Sequence, residues 1–379
     1  MDAFRIGKIA EIDIRIHWSW FAIFFLLTWW LAEGFFRDVY EDWTRREAWA
    51  TAVITTLLFF GSVLLHELSH SLMAKRLGLP VQHITLFIFG GVSALGSEPQ
   101  SARQEFQVAI VGPLTSFVLG LAFGTAVIIA WRLDAMDRPP AAIASYLTFI
   151  NVAVGIFNML PGFPLDGGRV LRAGLWAKSG NILRATRWAS SAGTFIAFGL
   201  IAVGVVSILA GSFIGGVWFI VIGWFLRNAS ESSYQQLVVR ETLEGTRVGD
   251  VVNRSFVGAP PDISLAILVN EYMLARSQRC VPILVSDDLL GLLSMTDLRR
   301  VPPEEWSTTS VFRVMTPREK LHVVSPEEDV TKALEMMARH DVHQLPVLDG
   351  RSFIGFVTRA DIFRLIQIRS ELRDARPAA

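Results

Sequence analysis

Six stretches of this 379-residue chain are apolar, nearly free of charge and of a length that suits a lipid bilayer, and that feature limits the architecture more than any other. They run over residues 18–36, 49–72, 106–131, 143–160, 188–210 and 213–226. A hydrocarbon core about 30 Å thick is crossed by a helix of about 20 residues and offers no water to an unpaired amide, so these stretches are expected as six transmembrane helices. Trp18, Trp20, Trp29 and Trp30 bracket the first of them, where amphipathic rings suit the interfaces. The apolar excess is uneven. Eleven of the twelve tryptophans precede residue 228, and the remainder has the mixed charge of a water-soluble domain. The expected division is a membrane domain over 1–227, a polar linker over 228–245, a soluble region over 246–370 and a tail over 371–379.

An even number of crossings puts both termini on one side. Lys and Arg, which are retained on the cytoplasmic side during insertion, number twelve at one set of helix ends and five at the other. The chain is therefore expected as a multi-pass protein of the cell (inner) membrane with both termini and the soluble region in the cytoplasm.

Two segments resist a reading as spanning helices. Residues 4–16 alternate, with Ile12, Ile14 and Ile16 separated by Asp13 and Arg15, which is the period of a strand and not the core of a signal peptide. Residues 81–95 are apolar but short, with Gly90 and Gly91 in their middle. A re-entrant hairpin or loop is expected there, tolerated at membrane depth only where protein or a wet cavity satisfies its backbone. Formal net charge is zero and no basic run is interleaved with aromatics, so nucleic acid is set aside as a partner. The single cysteine, Cys280, cannot form an internal disulfide and reads as a buried thiol beside Val281 and Pro282. His17 and His83 lack spaced partners and are expected to pack at an interface.

Beyond the linker the sequence repeats once, with an offset of 63 to 64 residues. Gly291-Leu-Leu-Ser-Met-Thr-Asp297 matches Gly355-Phe-Val-Thr-Arg-Ala-Asp361, and the repeats occupy 246–303 and 310–370. Each reads as a helix, a short apolar strand, and a second strand leading into a helix.

The chemistry concentrates in the second span. His66-Glu67-Leu68-Ser69-His70 places two imidazoles four residues apart, on one face of a helix, where both can reach one Zn²⁺ while Glu67 approaches the water it activates. Three ionisable groups against an apolar span are costly unless they serve a function, and a bound cation relieves that cost. The bland alternative is a pair of satisfied core histidines with a neutralised glutamate. A catalytic zinc needs a third protein ligand and one open position. Asp166 is the best candidate, because it follows an uncharged stretch from 141 to 165 in which Pro161 and Pro164 must break the helix. It can equally serve as the cap of a helix that begins near Gly168. Residues 49–72 and 143–160 would both end on the same side, which keeps the three-ligand reading possible.

Taken together, the H-E-L-S-H motif, the segment Asn158-Met-Leu-Pro-Gly-Phe-Pro-Leu-Asp166-Gly-Gly-Arg169 and the pair Gly112-Pro113 resemble the site-2 proteases, intramembrane zinc metalloproteases, in the subgroup that ends in cystathionine-beta-synthase (CBS) repeats. The resemblance covers essentially the whole chain. It implies six transmembrane helices with a re-entrant β-hairpin and an α/β CBS pair, one Zn²⁺ per chain held by His66, His70 and Asp166, and Glu67 as general base. It further implies that Asn158 donates to the developing oxyanion, and that the hairpin at Gly90 and Gly91 pairs with an unwound membrane-protein substrate. Many relatives have an asparagine shortly after the Gly-Pro pair, where Leu114-Thr115-Ser116 stands here, so no role is carried over for it. For the repeats, Ser294, Asp297, Thr358 and Asp361 match contacts to an adenine nucleotide of the ATP or AMP type, and a homodimer through the repeats is implied; the alternative there is a purely structural module whose hydroxyls cap helices. A different class, a CBS-regulated metal-ion transporter or channel, also expects ionisable residues within the membrane.

Overall fold

Residues 3–88, 90–96 and 99–374 are described by a computed structural model of the chain, which separates into two compact units, Met1–Gln235 and Gln236–Ala379. Among the described residues, six helices are long and apolar enough to cross a bilayer: α1 (Ser19–Val39), α2 (Arg45–Arg76), α3 (Ala102–Arg132), α4 (Pro139–Asn158), α6 (Ile182–Leu209) and α7 (Phe213–Leu243). Between the fourth and fifth of these lies the shorter α5 (Asp166–Ser179). The chain is thus a polytopic membrane protein. The segment expected as a linker is helical, since α7 continues without a break to Leu243.

Local chemistry explains where these helices begin. Thr44 Oγ1 accepts the Glu47 amide at 3.3 Å while Glu47 Oε2 accepts the Thr44 amide at 2.9 Å, so two otherwise orphaned donors are satisfied at the start of α2. Lys75 and Arg76 close its last turn, where the helix dipole favours cations. Glu33, the one charge of α1 before Arg37, lies in a π-helical turn over Leu31–Phe35 and is fully partnered. Its carboxylate accepts from Arg45 Nε and Trp49 Nε1, each at 2.8 Å, and from Arg37 Nη1 at 3.0 Å.

The strand-like segments join into one sheet. Its strands β1 (Ala3–Ile9), β2 (Ile12–His17), β3 (Val81–Phe87) and β4 (Gly90–Leu95) lie in the order β1-β2-β3-β4, with β2 and β3 parallel and the other pairs antiparallel. Residues 4–16, which the alternation suggests as a single strand, instead form a hairpin, turned by Ala10 and Glu11 at φ 49° and 65°. Ile12, Ile14 and Ile16 are buried as their spacing predicts. His83 stands opposite Asp13 in the ladder, and His17 Nδ1 lies 2.8 Å from Ser19 Oγ at the start of α1. Ile12, Ile14 and Ile84 pack together against Leu64 and Leu68, which seats the sheet on the helix that carries the histidine motif.

In the second unit the repeat in sequence becomes a repeat in structure. The first copy contains an apolar helix α8 (Leu265–Leu274), β5 (Cys280–Val285), β6 (Asp288–Ser294) and α9 (Met295–Leu298). The second copy opens with α10 (Val311–Val314) and a two-residue strand β7 (Thr316–Pro317) and continues with α11 (Val330–Arg339), β8 (Gln344–Asp349), β9 (Ser352–Thr358) and α12 (Arg359–Asp374). The strands form one sheet in the order β5-β6-β9-β8, with β7 on β6. Corresponding residues fill two separate cores, Val281, Ile283 and Leu293 in one and Leu345, Val347 and Val357 in the other.

Cys280 is buried among Leu289, Leu292 and Phe356, and burial pushes its thiol up to about 12. Only the thiolate attacks a maleimide. Cys280 in the folded protein should therefore resist labelling at pH 8 and react rapidly once denaturant opens the second unit; fast labelling without denaturant contradicts this burial.

Candidate metal centre

His66 and His70 project from the same face of α2, as a spacing of four residues requires. Asp166 arrives from a different part of the fold, as the first residue of α5. Between α4 and α5 the chain is not helical, and the loop packs closely on its surroundings. A side chain at Gly167 would strike the carbonyls of Met159 and Leu160, and one at Gly168 would strike the backbone of Gly162 and Phe163. Glycine at both positions lets the start of α5 fold back on the loop. The Phe163 amide donates to Ala189 O on α6 at 3.1 Å, so part of the irregular backbone finds a protein partner as its depth demands.

These elements bring three ligand atoms to one point. His66 Nε2 and His70 Nε2 stand 3.1 and 3.2 Å from Asp166 Oδ2 and 3.2 Å from each other. All three side chains are nearly removed from solvent. His70 Nδ1 lies 2.6 Å from Val108 O. A carbonyl can only accept, so the His70 proton sits on Nδ1 and its Nε2 presents a lone pair to the cluster. His66 Nδ1 is 2.9 Å from Ser116 Oγ, which orients that ring in the same sense. Outer partners of this kind fix tautomer and ring plane in metal sites.

The donor set fits zinc. Ligands about 2.0–2.1 Å from a tetrahedral ion stand about 3.3 Å apart, close to the separations found here. Two imidazole lone pairs and a carboxylate oxygen facing one another are mutually repulsive without a cation between them. Gly112 supplies the room, because a methyl group there would lie 2.7 Å from His66 Nε2 and closer still to His70. Val108, Gly112 and Ser116 recur every fourth residue and so share one face of α3. The sequence reading missed Val108 and Ser116; that spacing around Gly112 was the signal available for finding them.

Glu67 points elsewhere, toward the sheet. Its Oε2 accepts from Ser93 Oγ on β4 at 2.8 Å, and Ser71 Oγ donates to Ser93 Oγ at 3.1 Å. Gly91 lies against Glu67, for a Cβ there would fall 3.2 Å from its carboxyl carbon. Gly90 begins β4 at φ +127°, a conformation that side chains disfavour. Asn158 closes α4, half-buried, and among the described residues it makes no side-chain hydrogen bond. Asn151, two turns earlier on α4, is the buried amide, and it donates to Ser62 Oγ on α2 at 3.3 Å.

A buried ion pair holds α5 to α3. Glu105 on α3 meets Arg172 on α5, with Arg169 Nε 4.0 Å away, and the Arg172 guanidinium lies 5.1 Å above the Phe163 ring. Glu105 is fully buried and Arg172 nearly so. In the second unit, Ser294 Oγ donates to Asp297 Oδ2 at 2.7 Å and Thr358 Oγ1 to Asp361 Oδ2 at 2.6 Å. Both pairs thus sit at helix starts in matching positions of the two copies, with hydroxyl and carboxylate already bonded to each other.

Removing one member of a buried ion pair costs about 3–5 kcal/mol, because the other charge is left uncompensated. Glu105→Gln should accordingly lower the thermal midpoint of the detergent-solubilised protein, and Glu105→Gln with Arg172→Met should recover much of the loss. A midpoint unchanged by Glu105→Gln alone would contradict the pairing.

Residues 54–138 and 127–201 match Peptidase family M50, and residues 248–304 and 311–368 each match the CBS domain. Rip3 of Mycobacterium tuberculosis, designated a zinc metalloprotease, is 35% identical over 97% of this chain and 93% of its own length. A Synechocystis protein of the same designation is 31% identical over 96% of this chain and 95% of its own. A solved site-2 protease from Methanocaldococcus jannaschii aligns with 61% of this chain and 94% of its own, at 25% identity and a TM-score of 0.43. With relatives matched from end to end and both domain types in order, the chain belongs to peptidase family M50, the site-2 protease family of intramembrane zinc metalloproteases, in the form that carries a C-terminal CBS pair.

Proposed function

We propose that this protein is an intramembrane endopeptidase that cuts transmembrane or juxtamembrane peptide bonds of other membrane proteins, with His66, His70 and Asp166 as ligands of one Zn²⁺ and Glu67 as general base. The observation that carries the reading is the meeting of Nε2, Nε2 and Oδ2 within 3.2 Å of one another, from two separate elements, beside a helix position occupied by Glu67. Zinc, when bound, supplies Lewis acidity for the scissile carbonyl and lowers the pKa of water toward neutrality.

The residues of the chain do the rest. Glu67 takes the proton of the attacking water and passes it to the leaving amide nitrogen. Ser93 holds one carboxylate oxygen of Glu67, which leaves the other for that proton. Asn158, with its amide unengaged, donates to the carbonyl oxygen as negative charge develops. A helical substrate must unwind before its peptide bond can be attacked, and β4 lies at an edge of the sheet, where Gly90 and Gly91 let a substrate strand approach. The Lys and Arg distribution supports an inner-membrane location with both termini and the CBS pair cytoplasmic.

For the second unit we propose an adenine nucleotide of the ATP or AMP type at Ser294, Asp297, Thr358 and Asp361, and pairing of two chains through the CBS repeats. The hydroxyl-to-carboxylate bonds seen there must open for ribose and phosphate to enter. The division 1–227, 228–245 and 246–370 then separates the hydrolytic part from its regulator. A metal transporter needs no base beside its ligands, so Glu67→Gln distinguishes the two readings.

In purified protein, wild type should hold one zinc per chain and cleave a single-span substrate. Glu67→Gln should keep the zinc and lose about 10²–10⁴-fold in turnover, the usual contribution of a general base. Asp166→Ala should lose the metal itself. Wild-type turnover by Glu67→Gln would end the hydrolytic reading. Equilibrium dialysis with ATP and AMP should show binding that Asp297→Ala with Asp361→Ala removes; nucleotide binding unaffected by the pair would place it elsewhere.

A further inference from the structure

The first turns of α6 and the middle of α7 form a second polar feature, apart from the metal centre. Reciprocal bonds set the two helices in register, Ser190 Oγ to Ser230 O at 2.6 Å and Ser230 Oγ to Ser190 O at 2.9 Å. Beside this lock runs a groove of about 450 Å³ whose walls include Arg187, Thr194, Phe198, Arg227, Glu231 and Tyr234. Arg184 and Trp188 line a smaller hollow that shares Arg187 with it.

Three facts set this groove apart from an ordinary positively charged helix end. First, among the described residues none of Arg184, Arg187 and Arg227 forms an ion pair, and Glu231, a carboxylate on the groove wall, forms none either. Second, Arg184 stands in the first turn of α6, where the helix's own partial positive charge disfavours a cation unless an anion offsets both, and Arg187 follows one turn later. Third, Arg227 does not reach away from the apolar region: its guanidinium lies 5.5 Å above the ring of Phe198, a turn or more below Thr194 along α6. A guanidinium held at the edge of the hydrocarbon is expensive without a counter-charge.

The same groove is apolar below. From Trp188 to Leu209 α6 carries no charge, and none precedes Arg227 on α7. Trp188 and Trp224 are 65% and 60% exposed, as rings at the headgroup level are. We propose that the α6–α7 groove binds the phosphate of an anionic phospholipid, with Arg187 and Arg227 as its cationic clamp, the hydroxyls of Thr194 and Tyr234 as further donors, and the acyl chains lying along Phe198. Planar guanidinium groups recognise phosphate oxygens in paired hydrogen bonds, which suits this clamp. Glu231 opposes the anion and limits the affinity.

The test uses the full-length protein in nanodiscs of phosphatidylcholine mixed with phosphatidylglycerol. Lipid retained after transfer to detergent is counted by native mass spectrometry. Wild type should retain phosphatidylglycerol several-fold over its share of the bilayer, Arg187→Gln with Arg227→Gln should retain it at that share, and Glu231→Gln should raise the enrichment. Equal enrichment in wild type and the double variant overturns the site. Should the double variant fail to fold, Glu231→Gln decides, since an enrichment that stays level or falls also overturns it. Displacement of the lipid by soluble glycerophosphate would show a free-phosphate site instead and overturn the lipid assignment.

Discussion

The membrane domain is organised around a repulsion that only a cation can relieve. Two imidazole nitrogens and a carboxylate oxygen are aimed at one another across about 3 Å in a largely buried site. His70 is oriented by the Val108 carbonyl and His66 by Ser116, and Asp166 is placed by its position at the head of α5. Preorganisation of this kind concentrates metal affinity in the fold, because the cost of bringing like groups together is met before the ion arrives.

Lipid imposes a second constraint, that no backbone group may be left unpaired at depth. The protein meets it in three ways. Long helices pair internally; the re-entrant segment pairs as strands β3 and β4 with support from the N-terminal hairpin; and the irregular loop before Asp166 packs on α6. Charges follow the same logic. Glu33 is shared among Arg37, Arg45 and Trp49, and Glu105 is matched to Arg172.

The link from site to function runs through geometry more than through residue type. His66 and His70 on α2 are the proposed ligands, and the face of α3 marked by Val108, Gly112 and Ser116 makes the pocket they occupy. Ser93 ties Glu67 to the edge strand β4, so the residue proposed to move protons and the strand proposed to receive substrate are neighbours.

Much of this was legible in the sequence, for local reasons. Apolar runs of spanning length announce helices wherever water is absent, a spacing of four places His66 and His70 on one face, and a repeated pattern of strand residues announces a duplicated unit. These follow from periodicities that a residue shares with its near neighbours in the chain. The alternation over 4–16 gave strand correctly but hid the turn at Ala10 and Glu11, since neither residue type marks a positive φ. Likewise the polarity of 228–243 suggested a linker where the chain continues as helix, because polar residues with good helical propensity do not end a helix already begun. What the sequence could not determine is every feature that joins distant segments: the pairing of β2 with β3, the service of Ser116 and Val108 to the histidines, the contact of Glu105 with Arg172, and the approach of Asp166 Oδ2 to both rings. Those depend on which helices pack together and at what height, and that is settled by the summed contacts of whole surfaces, a quantity no short window of residues contains.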